Sequence, residues 1–234
     1  LAMLKTFGFD TFKLYISTKP SEKSVGNDEQ WLLAQDALTK AVERSGCSYE
    51  IDEGGGAFYG PKIDIKIEDA IGRQWQCSTI QFDFNLPERF NMSFINAQGE
   101  KEEPYMIHRA LLGSIERFFG ILIEHYAGWF PLWLAPVQCC IIPINADHHA
   151  YATLVAEKLR AHQMRPQINE SSDKLNYKIR QAIAEKIPYI VIVGDKEQAS
   201  QTITLRHKKE QLGTMTIDAL IARIQDHFTA TSLI

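Results

Sequence analysis

The chain has 234 residues, 45% of them hydrophobic and 23% charged, the composition of an ordinary water-soluble protein with room for one large or two small domains. No apolar run approaches the ~20 residues of a membrane-spanning helix, and Leu1-Ala2-Met3-Leu4-Lys5 lacks the basic-then-apolar order of a signal peptide, so no membrane role is expected. The net charge of −4 divides into 13 basic and 19 acidic residues up to Leu134, and 12 basic and 10 acidic from Ala135, which permits a nucleic-acid partner for the second part without arguing for one.

Phe12 to Ser17 alternates apolar and polar residues as a strand does. Asn27 then caps a helix, with Gln30 completing a capping box and Trp31, Ala34, Leu38, Ala41 and Val42 as its apolar stripe. Gly54, Gly55 and Gly56 resemble a phosphate loop only superficially, because no Gly-Lys-Ser/Thr and no helix follow. They point instead to close backbone approach, with Tyr59 held between Phe58 and Gly60-Pro61.

Two strands come next. Ile63, Ile65 and Ile67 alternate with Asp64, Lys66 and Glu68 in the first. The second, Arg73 to Phe84, sets Ile80, Phe82 and Phe84 on one face against Cys77, Thr79, Gln81 and Asp83 on the other. Small and neutral polar groups are unusual for a solvent face, so this second face is expected to line a wet cavity, although an antiparallel strand with one face in water fits the same pattern.

From Tyr105 to Gly120 the period changes from two to between three and four at Gly113-Ser114. A strand running directly into a helix is therefore predicted, with Ile115, Phe118, Phe119, Leu122 and Ile123 as the apolar face, Ser114 as cap and Gly128 as stop. Arg117 is expected to be buried in the first helical turn, beside free backbone N–H groups, where a phosphate would be favoured. The same pattern also fits a core strand and helix in which Arg117 pairs with Glu116 or another acid.

Gly128 to Pro136, rich in Trp, Phe and Pro, marks the boundary between domains 1–134 and 135–234. Beyond it the pattern is alternating α/β: strands over Val137 to Ile144, Arg165 to Asn169, Pro188 to Val193 and Thr202 to Arg206, helices over Ala150 to His162, Lys174 to Glu185 and Ile217 to Phe228, and a turn at Gly194-Asp195. Four cysteines, three of them in strand-like runs, are too few for a disulfide framework, and a reducing cytoplasm is the expected location.

Five blocks, in order, carry a family likeness: Gly56-Ala-Phe-Tyr-Gly-Pro-Lys62, Trp75-Gln-Cys-Ser-Thr-Ile-Gln81, Ile107-His-Arg-Ala-Leu-Leu-Gly-Ser-Ile-Glu-Arg-Phe118, Trp133-Leu-Ala-Pro-Val137 and Val193-Gly-Asp-Lys-Glu197. Together they resemble the threonyl-tRNA synthetase family of class II aminoacyl-tRNA synthetases. The resemblance implies an α+β and α/β chain: part of the class II antiparallel sheet with helices, whose third signature motif is 105–120, followed by a small anticodon-binding domain with a mixed sheet. It implies ATP-dependent activation of threonine and transfer to tRNA-Thr. Arg117 would meet ATP phosphate and, with Lys62, act in catalysis; Gln76 and Thr79 would contact the nucleotide, with Mg accompanying ATP, and Tyr59 and Gln81 the threonine. His108 matches one of three ligands of a catalytic zinc, but nothing in this chain stands in for the other two, and Cys77 is not at a ligand position. The first two signature motifs, the homodimer interface that the first supplies, and the editing domain are also missing. The resemblance therefore describes a C-terminal part of the enzyme, expected to be inactive and to bind zinc weakly or not at all when alone.

In the second domain Glu197 and Arg206 match positions that read anticodon bases, while Lys174, Lys178, Arg180, Lys208 and Lys209 are placed to meet phosphates or simply form a solvated face. Ser171-Ser172 and Asn176 depart from the family pattern in one loop. The alternative reading is a tRNA anticodon-binding module or a non-catalytic remnant of a synthetase.

Overall fold

The computed structural model describes residues 1–229, and the chain divides into two compact units, Leu1–His125 and Tyr126–Ile234. The first opens with a short helix α1 (Ala2–Thr6), strand β1 (Phe12–Ser17) and the long helix α2 (Asp28–Arg44). There follow β2 (Tyr49–Asp52), β3 (Lys62–Glu68), β4 (Gln74–Asp83), α3 (Asn85–Arg89), a small hairpin of β5 (Phe94–Ile95) and β6 (Lys101–Glu102), β7 (Met106–Ala110) and α4 (Ile115–Tyr126). The main sheet has the order β2-β1-β3-β4-β7, antiparallel except for the β1–β2 pair.

The Asn27 capping box forms as the sequence predicts: its side chain accepts from Gln30 N–H at 2.8 Å, and Gln30 returns the bond to Asn27 N–H at 2.9 Å. Behind it Trp31, Ala34, Leu38 and Val42 are buried, and α2 packs on β1 and β3.

Strand β4 breaks the alternation that its sequence suggests. Ile65 pairs with Ser78 but Lys66 pairs with Gln76, so Cys77 is an extra residue on β4, a β-bulge. Each bulge reverses the facing of the residues beyond it. Gln76 therefore shares a face with Thr79, Gln81 and Asp83, whereas Cys77, expected on that face, is 2% exposed and its thiol is pushed up in pKa by burial.

Helix α4 also corrects an expectation. Ser114 Oγ caps it, accepting from Arg117 N–H at 3.3 Å, but its buried residues are Phe118, Ile121 and Leu122, while Ile115, Phe119 and Ile123 are exposed. The helix is apolar on both sides, so periodicity alone could not choose which side faces the core. Arg117, one step from Phe118 and about 100° around the axis, is exposed and not buried.

The second unit contains β8 (Cys139–Pro143), a 3₁₀ turn (Ala146–His148), α5 (His149–Ala161), β9 (Pro166–Ile168), α6 (Leu175–Ala184), β10 (Tyr189–Val193), α7 (Asp195–Ser200), β11 (Thr202–His207), β12 (Glu210–Thr216) and α8 (Ile217–Thr229). Its sheet, β12-β11-β10-β8-β9, is parallel across β10, β8 and β9 and antiparallel across β10, β11 and β12. Cys139, Ile141, Val191 and Val193 enter one core cluster with residues of α5 and α8. Cys140, Ile142, Ile190 and Ile192 enter the other, with Ala182 and Ile187. Burial on both faces explains the unbroken apolar runs of these strands. Helix α7, where the sequence suggested only a turn, has no apolar periodicity to reveal it; Glu197 caps it by accepting from Gly194 N–H at 3.1 Å.

Candidate functional site

The face of the first sheet away from Ile63, Ile65 and Ile67 gathers the polar residues singled out above. In register, Lys62 lies opposite Gln81 and Asp64 opposite Thr79, and on the next strand Gln81 lies opposite His108. Tyr59 joins them because its loop is tied down: Phe84 N–H donates to Tyr59 O at 2.9 Å and Phe82 N–H to Pro61 O at 3.0 Å. Between these bonds a Cβ on Gly60 would lie 2.2 Å from Phe82 O, so only glycine fits there.

Tyr59 Oη donates to Gln81 Oε1 at 2.7 Å. Burial, with the nearby Asp83 and Asp64 charges, raises the pKa of Tyr59 and keeps the phenol neutral. His108 Nε2 lies 2.6 Å from Asp83 Oδ2, while Asp83 Oδ1 accepts from the amides of Asn85 and Leu86 at 2.7 and 3.0 Å. Burial would raise the pKa of Asp83, but these bonds from His108, Leu86 and Asn85 outweigh it and hold the carboxyl below its ordinary range. The Asp83 carboxylate orients the His108 ring through Nε2, so Nδ1 is the ring nitrogen not bonded to it.

Lys62 Nζ donates to Asp64 Oδ2 at 2.6 Å, and Gln76 Nε2 donates to Asp64 Oδ1 at 2.5 Å. Thr79 Oγ1 is buried with no partner among the described residues. Arg117 stands at the other end of β4, where its Nη2 donates to Gln76 O and its guanidinium lies 5.9 Å from the Trp75 ring. Gly113, at φ +70°, makes room for it, since a Cβ there would come within 2.7 Å of Arg117 Nη2.

The structure thus brings Tyr59, Lys62, Gln76, Thr79, Gln81 and His108 onto one face, with Arg117 tethered at its margin. Sequence reading missed the two carboxylates beneath them. Asp64 alternates with isoleucines as a solvent-facing residue would, yet it is only 2% exposed. Asp83 was placed on the correct face but without a partner. As to zinc, no group of three or more His, Cys, Asp or Glu is arranged to hold a metal among the described residues. His108 alone does not make a zinc centre.

In the second unit Glu197 and Arg206 approach the outward face of β11. Glu197 Oε1 accepts from Thr204 Oγ1 at 2.8 Å, and Thr204 and Arg206, two apart on the strand, share that face. Arg206 Nη2 donates to Lys209 O at 3.0 Å, and its buried Nε has no partner among the described residues. Lys178 does not belong to a phosphate-facing set: it is 3% exposed, with Nζ donating to Pro143 O at 3.3 Å. It lies on the side of α6 that packs against β8, which its sequence position alone did not reveal. Lys208 stacks over Trp129 with its Nζ 5.4 Å from the ring.

Residues 2–126 match the family model of the tRNA synthetase class II core domain (G, H, P, S and T), and residues 138–227 that of an anticodon binding domain. The chain is 56% identical to a threonine–tRNA ligase of Aquifex aeolicus over 97% of its length and 35% of the relative's, and 50% identical to that of Magnetococcus marinus over 100% and 36%. It spans about a third of the length of these curated relatives. Among solved structures it superposes on the RNA binding domain of threonyl-tRNA synthetase from Cryptosporidium parvum with a TM-score of 0.87 and 37% identity, covering 96% of this chain and 57% of that one. A putative threonyl-tRNA synthetase from Aeropyrum pernix gives 0.76 and 29%, covering 99% and 58%. The chain belongs to the class II tRNA synthetases, as a core-domain segment followed by an anticodon-binding domain, and its likeness within them is to threonine–tRNA ligases.

Proposed function

We propose that the chain forms part of a threonine–tRNA ligase, which joins threonine to tRNA-Thr at the expense of ATP. The observation that carries this is the single sheet face on which Tyr59, Lys62, Gln76, Thr79, Gln81 and His108 converge, with Arg117 at its edge. The catalytic part is 1–134, with its third motif at 105–120, and the anticodon-binding part is 135–234. Arg117 and Lys62 take negative charge on the ATP phosphates as the threonine carboxylate attacks the α-phosphate and pyrophosphate leaves. Gln76 and the spare hydroxyl of Thr79 hold the nucleotide, and the Tyr59–Gln81 pair orients the amino acid. Mg accompanies ATP, and zinc belongs to the proposal only as a group to which this chain offers His108 Nδ1. The whole enzyme is a cytoplasmic homodimer in this reading.

The chain by itself lacks the first two signature motifs, so it is expected to show no threonine-dependent exchange of pyrophosphate into ATP and to retain no zinc after dialysis. Exchange should appear when the upstream catalytic segment of the Aquifex aeolicus relative is joined to it. Clear exchange by the pure chain, or none in the joined protein, would overturn the proposal.

A second reading, a tRNA-binding module, is favoured for unit 2 by the match of a whole anticodon binding domain to 138–227. Glu197 and Arg206 offer an acceptor and a donor to base edges. Binding of a tRNA-Thr anticodon stem-loop should weaken in Glu197→Ala and Arg206→Ala; unchanged affinity in both removes the assignment.

A further inference from the structure

We propose that Asp64 is the positioning residue of the nucleotide side of this site, its two carboxylate oxygens holding the Lys62 ammonium and the Gln76 amide as one pre-set pair. The inference rests on the reading of Lys62 and Gln76 as residues that meet ATP. Asp64 is 2% exposed, and an ionised carboxylate so far from water persists only when it is well bonded. Its bonds are divided: Oδ2 takes Lys62 Nζ at 2.6 Å, with Ser17 Oγ at 3.3 Å, and Oδ1 takes Gln76 Nε2 at 2.5 Å. With Lys62 on one oxygen and Gln76 on the other, the rigid carboxylate plane sets the separation of ammonium and amide.

The two donors reach Asp64 by different routes. Lys62 is two residues away on β3, so alternation alone places it on the same face. Gln76 comes from β4, and it faces Asp64 only because Cys77 is the extra residue of the bulge. Without the bulge the amide would point to the opposite side of the sheet. The bulge and the carboxylate thus act together: one turns Gln76 inward, the other stops it there. Thr79 is the cross-strand neighbour of Asp64 and has a spare hydroxyl, so a ligand lying over Asp64 meets three oriented polar groups. Long flexible side chains such as lysine and glutamine lose much rotamer freedom when they bind. Holding both before the substrate arrives removes that cost from the activation step.

The test is a mutant cycle on threonine-dependent pyrophosphate exchange in the ligase made by joining this chain to the upstream catalytic segment of the Aquifex aeolicus relative. Asp64→Asn keeps an acceptor for Gln76 and removes the charge that holds Lys62. It is expected to lower kcat by about tenfold or more while leaving KM for threonine within about twofold. In a Lys62→Ala background the same substitution should change kcat by less than about twofold, because Asp64 acts through the lysine. Asp64→Glu, which restores the charge one methylene further out, should recover part of the loss. Full multiplicativity of Asp64→Asn and Lys62→Ala, or a folded Asp64→Asn at wild-type kcat, overturns the proposal. Should Asp64→Asn not fold, Lys62→Ala and Gln76→Ala answer the same question, since a shared anchor makes them non-additive and strict additivity refutes it. If instead both of those variants are silent in an active enzyme, the fault lies in the assignment of Lys62 and Gln76 to ATP, and the proposal falls with it. Amine acylation of the present chain, read by mass spectrometry, gives a measurement independent of activity: Lys62 should react several-fold faster in Asp64→Asn, with Lys66 unchanged as the internal reference.

Discussion

The two sheets place their polar residues in opposite ways. In the first unit one face of a mostly antiparallel sheet gathers many polar residues, and these are bonded to one another: Tyr59 to Gln81, His108 to Asp83, and Lys62 and Gln76 to Asp64. In the second unit the central strands β8 and β10 are buried on both faces, and the candidate polar residues Glu197, Thr204 and Arg206 lie on α7 and the outward side of β11. A sheet covered on both sides can offer only its ends and outer strands to a ligand, whereas a sheet covered on one side can offer a floor. The first arrangement suits a small molecule held by many groups at once. The second suits a nucleic acid that approaches from outside.

This contrast can be broken by substitution, beginning where the effect is largest. Arg117→Ala removes an exposed cation tethered at the edge of the polar floor. In the joined ligase it should cost about a hundredfold or more in pyrophosphate exchange, by the magnitude usual for a lost charge-stabilising donor, while the melting temperature stays put. A matching fall in thermal stability would show that Arg117 holds the fold and not the ligand. In the second unit the ranking inverts: Leu205, fully buried, does no chemistry, and Leu205→Ala should destabilise that unit by about 2–5 kcal/mol in urea titration. A smaller loss would mean that this core is looser than its burial indicates.

Gly113→Ala sharpens the comparison from the side of the backbone. The left-handed conformation and the 2.7 Å approach to Arg117 Nη2 both oppose a methyl group, so a loss of about 1–2 kcal/mol is expected, together with displaced Arg117. The smallest effect concerns acid. Asp83 has a folded pKa below its unfolded one, so the stabilisation it contributes is fully present above the unfolded value near pH 4 and is lost as pH falls through the folded value. Asp83→Asn should therefore flatten the acid limb of the stability profile below about pH 4. An unchanged limb would mean that the Asp83–His108 bond gives no stability in solution. Thiol labelling supplies a check on the buried sheet: burial pushes Cys140 up to about 12, so it should resist alkylation at pH 8 while the partly exposed Cys47 reacts.

Much of this was legible before any coordinates. The capping box at Asn27, the change of period at Gly113-Ser114 and the apolar runs of β8 and β10 are local patterns, and local patterns survive in sequence. The polar face of β4 could be read as far as Thr79, Gln81 and Asp83. It failed at Cys77 because a bulge inserts a residue without any change in composition. Gln76, which simple alternation leaves off that face, is brought onto it by the same bulge. Helix α7 escaped notice because six residues, five of them polar, carry no apolar period. Burial of Arg117 was misjudged because α4 is apolar on two sides.

By itself, then, the sequence determined the class of most of the longer elements, the contrast between a mainly antiparallel part and an α/β part, and the family likeness, since all of these depend on residue type at short spacing. Only the tertiary structure decided which side of α4 is covered, which residue of β4 is supernumerary, and that Asp64 and Asp83 lie beneath the site as its anchors. Those outcomes depend on contacts between residues far apart in the chain: Asp64 meets Gln76 across a bulged pair, and Asp83 meets His108 across 25 positions. A carboxylate flanked by isoleucines looks the same on paper whether water or a lysine satisfies it, and only the folded sheet settles which.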